Sequence, residues 1–574
     1  MAANQLQTET KMRPRHLRGG IVQWSLIVVA LVLTGMPGLG AQEAPPQRHV
    51  GAAQDWSSGL LIFSRDGLAR HPEVLKREPR VSNQVRQRWQ TPRGDAFGGF
   101  DGGMNGQGIT GKRNPPKRDW NVPGLGGRLS SNMYPSKFSF DPAAAPDCTK
   151  DYVVYGLNNV GSTANGNLVA FNNLYVDAAG DGYCAGLTAP TVLFDYNITT
   201  VATGRINTSP ILSLDGTKIA FVESVPGATP STTFHVLTWT AGEGTLAASV
   251  TPTGAQMSTL TISGTADDTS SSPWIDYEND IVYVGTNDGL VYKITGVFNG
   301  TPTLAGTPWP VTVSSGLQLT PPVLDSTLGL LMVGSANGTL YQIDTTSGAL
   351  GTLVVGSGPT NGIVAPPIVD VTNGTTFVVS ADDGTSGVLV EADTATMVQL
   401  AKARIGEASA SGTAIHLYQP AFSNDYFTDP SLGVVRVCGT GAADTTPWQY
   451  AFGFTGTTMN TASPTFSQQL LTSTTARCTG WTEFYNPNVG LPTGTDFFFF
   501  GLTEDCTTGS GDPADGCVAE ITNSAPGTLV TSTIDGGTSG IVIDNYSTEA
   551  QAASIYFCSR LADIAYKFTQ DGLQ

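Results

Sequence analysis

Eight side chains recur as a set that chemistry could use: Asp141, Asp215, Asp276, Asp325, Asp370, Asp425, Asn486 and Asp544. They follow one another at intervals of 74, 61, 49, 45, 55, 61 and 58 residues. Brought together around an axis, they would form a ring of oxygen donors for calcium, or supply a carboxylate pair for hydrolysis. The simpler role is that each ends a strand and accepts hydrogen bonds from the amides of the next turn. Recurrence in every repeat favours that second role. Asp177 and Asp181, and likewise Asp512 and Asp515, sit in Gly-containing loops that offer oxygens to calcium. Neither loop has the alternating carboxylates and closing Glu of an EF-hand, so turn formation competes there too. His235 and His416 lie far apart, which argues against a triad, and no HExxH, GxSxG or phosphate-cradling Gly loop occurs.

These anchors belong to a repeated unit. A short apolar stretch ends near each Asp, and an apolar run then closes on Gly or another small residue, as in Pro322-Val-Leu-Asp325 and Leu330-Leu-Met-Val-Gly334. Turns with Asn287-Asp288-Gly289 and Asn337-Gly338 supply the positive φ that hairpins need. A unit of three or four short strands cannot bury its own faces, so the units must stack, and radial stacking gives a β-propeller. Runs such as Phe497-Phe-Phe-Phe500 suit strands sandwiched between neighbouring blades. The expectation is an all-β propeller over 119–574, with eight four-stranded blades and seven as the alternative. The last repeat shows only three strands, ending at Ile564-Ala-Tyr-Lys-Phe568, so the segment around Trp120–Val122 is expected to supply the fourth.

Charge divides the chain. Residues 129–574 carry a net charge of -27, whereas 42–128 carry +6. An acidic body repels phosphate backbones, which excludes nucleic acid as a partner for the repeats. Lys11–Arg18 followed by apolar Ile21–Leu33 resembles a Sec-type signal, with cleavage expected near Ala41 and export as the result. Those 13 residues fall short of the roughly 20 that cross a bilayer, so no stable transmembrane anchor is expected. Residues 42–118 are expected to be a basic, Gly- and Pro-rich, poorly ordered arm, because Pro72 and Pro79 interrupt its helix-compatible stretch. Seven Cys suit an oxidising compartment. Cys506–Cys517 and Cys148–Cys184 are the expected bridges, Cys438–Cys478 a third pairing, and Cys558 the thiol left over.

The segment Leu340-Tyr-Gln-Ile-Asp344-Thr-Thr-Ser-Gly348 resembles the repeat consensus of pyrroloquinoline-quinone-type (PQQ-type) propellers, and Val388-Leu-Val-Glu-Ala-Asp393 is a looser match. This likeness implies the eight-bladed fold of quinoprotein alcohol dehydrogenases and of the outer-membrane assembly lipoprotein of Gram-negative bacteria, over roughly 129–574. Through Tyr134–Asp141 and Pro146-Asp-Cys148 the chain also resembles uncharacterised secreted bacterial propeller proteins. A working quinoprotein of that family would bring adjacent half-cystines, repeated Trp-to-Gly blade locks and a haem-attachment CxxCH where electrons leave. Here no two Cys adjoin, the Trp-to-Gly spacing appears at most once, at Trp448 to Gly453, and CxxCH is absent. PQQ is therefore not expected. Calcium remains the cation that an acidic exported body would take.

Tyr418, Tyr426, Phe427, Trp448 and Tyr450 belong to the long sixth repeat, where they are candidates for an exposed surface that recognises protein or glycan, with packing of a long insertion against the rim as the slightly favoured alternative. The functional expectation is an exported, non-catalytic propeller that binds or assembles an envelope or extracellular protein or polysaccharide. The rival is a divergent hydrolase or quinoprotein-like oxidoreductase using carboxylates on one propeller face.

Overall fold

The computed structural model describes residues 51–89, 116–141, 145–357, 362–407, 415–486, 494–507, 515–523, 527–544, 547, 549 and 551–569. Among them eight separate sheets, whose blade strands run antiparallel, form a ring, the arrangement of an eight-bladed β-propeller. The innermost strands are Ser136–Ser139, Ile211–Leu212, Trp274–Asp276, Val323–Asp325, Ile368–Asp370, Ala421–Phe422, Thr482–Asn486 and Val542–Asp544. Each precedes the apolar strand read from the repeat, and those second strands are buried almost throughout, Thr495–Leu502 along its whole length. Burial on both faces is what a blade packed between two others requires.

Four of the eight anchors behave as turn formers, whereas Asp425 lies in the short helix Asn424–Thr428 and Asp544 pairs with Lys137. Asp276 accepts from the Glu278 and Asn279 amides, Asp325 from Thr327 and Leu328, and Asp370 from Thr372 and Asn373, all between 2.9 and 3.3 Å. Asp215 does the same for Thr217. The hairpins follow their turn residues. Gly289 has φ 83°, and a Cβ there would lie 1.6 Å from the Ser314 carbonyl oxygen, so no other residue fits without moving the backbone.

The ring closes where the sequence places its seam. Lys117–Pro123 pairs antiparallel with Ile564–Thr569 and becomes the outer strand of the eighth blade. Trp120 is buried there, donates from Nε1 to the Leu174 carbonyl at 3.0 Å, and packs on Phe171 and Tyr556. Beside it, buried Lys567 meets Asp119 at 2.6 Å, and buried Lys137 meets Asp544 at 2.5 Å. Three disulfides form: Cys148–Cys184, Cys438–Cys478 and Cys506–Cys517. Cys558 is a buried free thiol, pushed by burial up to about 12. Removing the Cys148–Cys184 bridge, whose ends are 36 residues apart, by serine at both positions is expected to cost about 3–4 kcal/mol. Urea unfolding of the double variant against the parent, both oxidised, reads that loss.

The arm departs from its expectation. Residues 51–89, read as part of a poorly ordered linker, are built into the ring. Ala52–Gln54 adds to the inner edge of blade 1, and Leu61–Ile62 pairs in parallel with the inner strand of blade 5. Pro79–Trp89 is a helix. Pro79 does not interrupt it. Proline occupies its first position, where a missing amide costs nothing and φ is already set. The leader 1–41 lies outside the described residues. Among the described ones no helix is long and apolar enough to cross a membrane.

Candidate functional site: a plugged channel

The inner strands surround an axis, and residues 51–89 occupy it. Four blades hold them. Asn83 donates to the Ala53 carbonyl at 3.4 Å, tying the helix to the strand on blade 1. The Arg80 guanidinium donates to the Ile275 carbonyl of blade 3 at 2.9 Å and lies 4.1 Å above the Trp274 ring. On blade 5, the Val369 and Val371 amides donate to the Leu60 and Ile62 carbonyls at 2.8 and 3.0 Å, and Ser64 donates to Thr372. On blade 7, Arg88 forms a two-pronged ion pair with Glu483, and it covers the Phe427 ring of neighbouring blade 6 at 3.6 Å.

The apolar run Leu60-Leu-Ile-Phe63 explains why this basic segment leaves water, since all four side chains are at most 2% exposed. Its charge travels inward only because it is paired. Arg80 is 1% exposed, contacts Glu78 at 2.8 Å and Asp55 at 3.8 Å, and takes Ser57 as a further acceptor. Burial pushes the Glu78 carboxyl up, against Arg80 pulling it down. A cation with so many partners is held, not offered to a substrate.

Between this plug and blades 6, 7 and 8 a cavity of about 80 Å³ remains. Leu60, Ile62, Ile541 and Ile543 give it apolar walls, and Arg88, Glu483, Trp481 and Gln419 give it polar ones. Trp481 stacks on Phe500 with ring centres 4.3 Å apart, which fixes the indole.

The aromatic candidates separate. Tyr426, Phe427 and Tyr450 are buried, so the exposed surface expected of them is corrected. The short helix Asn424–Thr428 turns Tyr426 into a cluster with Phe377, Phe422 and Phe454, and its hydroxyl donates to Asp370 at 2.8 Å. Phe427 faces the channel cavity, and the Tyr450 hydroxyl donates to the Thr440 carbonyl. Trp448 and Tyr418 are half-buried. Of the calcium candidates, Asp177 accepts from the Ala179 and Asp181 amides, and Asp515 from the Thr507 amide and hydroxyl. Asp181 is exposed, and Asp512 lies outside the described residues. Among the described residues no three His, Cys, Asp or Glu side chains gather as metal ligands. His235 bridges Glu223 at 3.0 Å and Thr259 at 3.1 Å inside blade 2.

Two carboxyls are raised to about 7, both chiefly by burial: Asp195 in blade 1 and Glu391 in blade 5. Neither lines the channel cavity. Glu391 accepts from the Met459 amide at 2.7 Å, which opposes the shift, and Asp370 nearby adds to it. The folded protein therefore holds a proton here that the unfolded chain has released. This group's contribution is intact below about pH 4.5 and is lost as pH rises toward 7. Glu391→Gln keeps an acceptor for Met459 and removes the titration. It is expected to gain about 1–3 kcal/mol relative to the parent at pH 8 and close to nothing at pH 4.5, read by urea unfolding at both pH values.

Neither a protein-family model nor a curated protein matches the chain. Solved structures do. BamB from Moraxella catarrhalis is similar over 79% of this chain and 99% of its own, at 15% identity and a TM-score of 0.42. The Dos1 propeller matches over 79% and 95%, at 11% identity and 0.45. Sqt1 from Saccharomyces cerevisiae matches over 80% and 100%, at 10% identity and 0.45. The likeness extends to the propeller fold and no further.

Proposed function

We propose that this protein is an exported, non-catalytic β-propeller that binds or assembles a protein or polysaccharide of the cell envelope or extracellular space. The occupied axis carries the reading. The place where inner-strand groups could converge on a substrate is filled by residues 51–89, and two of its cations, Arg80 and Arg88, are spent on Glu78 and Glu483. Recognition is left to the rim and outer faces, and half-buried Trp448 is the aromatic candidate for it. Three disulfides are consistent with an oxidising compartment, and the leader supplies the route of export. In this reading the PQQ-type likeness belongs to the blade and not to a cofactor. Calcium, where taken, is a guest of turn carboxylates such as Asp181 and no reactant.

The test joins chemical cross-linking in the producing cell to reconstitution. One envelope component that rebinds the purified protein at fixed stoichiometry, with weaker binding on Trp448→Ala, supports the proposal. Turnover of a polysaccharide, or of an alcohol with added quinone, that a single carboxylate-to-amide change abolishes would overturn it.

A further inference from the structure

The channel cavity has a chemical bias that the scaffold reading does not use. Two of its wall residues carry buried N–H donors with no acceptor among the described residues, the Trp481 indole Nε1 and the Arg88 Nε. Trp481 is 3% exposed, and the Arg88 side chain 9%. An orphaned buried donor costs about 1–3 kcal/mol, and here the two residues that carry them line one space. Ile541, Ile543, Leu60 and Ile62 make the remaining wall apolar. The Arg88 charge is already neutralised by Glu483, and buried Asp496 behind it, pushed up by burial and by its hydrogen bond with Glu483, leaves no cation over. The wall therefore asks for an acceptor but not for an anion. At 10–15 Å³ for each water-sized unit, ~80 Å³ admits about five to eight such units.

We propose that this cavity binds a small, neutral, largely apolar molecule through one carbonyl-type oxygen, which accepts from Trp481 and Arg88 while its hydrocarbon part lies on Ile541, Ile543 and Leu60. The site is independent of any partner on the rim. Specificity comes from two sources: a site built to donate rejects an isostere lacking the oxygen, and the closed Arg88–Glu483 pair offers a carboxylate no free cation.

Cyclopentanone is the probe, with methylenecyclopentane and cyclopentanecarboxylate as controls, titrated calorimetrically against the full-length protein and soaked into crystals. One cyclopentanone is expected per chain, with its oxygen in density between Trp481 and Arg88. Both controls are expected to bind at least about tenfold more weakly. Trp481→Phe keeps the stacking on Phe500 and removes one donor, so it is expected to weaken cyclopentanone binding about fivefold and leave methylenecyclopentane unchanged. Ordered water alone at high probe concentration, equal binding of ketone and hydrocarbon, or undiminished binding by the folded Trp481→Phe variant would each overturn the proposal.

Discussion

Arg80→Leu is expected to destabilise the protein by about 3–5 kcal/mol and to release residues 51–89 to proteolysis. The change leaves Asp55 and Glu78 in the channel without the guanidinium that neutralises them, and one orphaned member of a buried pair costs that much. It also deletes the link to Ile275 and the stacking on Trp274. The surrounding blades keep their own hydrogen bonds, so the damage should concentrate in the plug. Limited trypsin digestion, followed by mass analysis of fragments, is expected to cut first within 51–89 in the variant and elsewhere in the parent. An unaltered cleavage order together with unaltered thermal midpoint would remove the case for Arg80 as the channel's lock. Adding Asp55→Asn and Glu78→Gln should recover part of the loss, since the uncompensated charges then disappear.

Trp120→Ala addresses the other point on which the ring depends. The side chain is 3% exposed and fills the space between Phe171 of blade 1 and Tyr556 of blade 8. Truncation is expected to cost about 3–5 kcal/mol, the range for a large aromatic in a core. It also leaves the Leu174 carbonyl without its donor. Because Lys117–Pro123, among the described strands of blade 8, comes from the other end of the chain, local opening should begin there. Amide exchange in Ile564–Thr569 should accelerate strongly, while the Leu330–Gly334 strand of blade 4 should change only with global stability. Uniform acceleration across all blades would show that the seam is not the weak point. Trp120→Phe should retain most of the protection and lose little more than the hydrogen bond.

The strands were legible because their burial is two-sided and local: an apolar run, a small residue and a turn state the same fact in each repeat. The seam was legible by subtraction, from a blade with three strands. Asp276, Asp325 and Asp370 were readable as turn acceptors because position in the repeat determined them. The plug was not, for two physical reasons. Leu60–Phe63 is too short for periodicity to distinguish strand from loop, and its partner strand lies about three hundred residues away. Pro79 has opposite meanings inside a helix and at its first position, and only the helix that follows decides between them. Tyr426 and Phe427 were misplaced because a helical turn, Asn424–Thr428, stands where the repeat otherwise offers loop, and it directs both rings inward. The channel cavity was out of reach altogether, since its wall joins residues from the plug and three blades.

The pairing of Lys117–Pro123 with Ile564–Thr569 has a bearing on biosynthesis. A ribosome delivers one of these strands hundreds of residues before the other. Until the later one emerges, the wheel cannot become whole, however many blades already exist. Leu61–Ile62 must likewise wait for Ile368–Asp370. A nascent chain thus carries unsatisfied edges through most of its synthesis, the condition in which aggregation competes with maturation. Escorts that bind unfinished chains are therefore a demand set by topology itself.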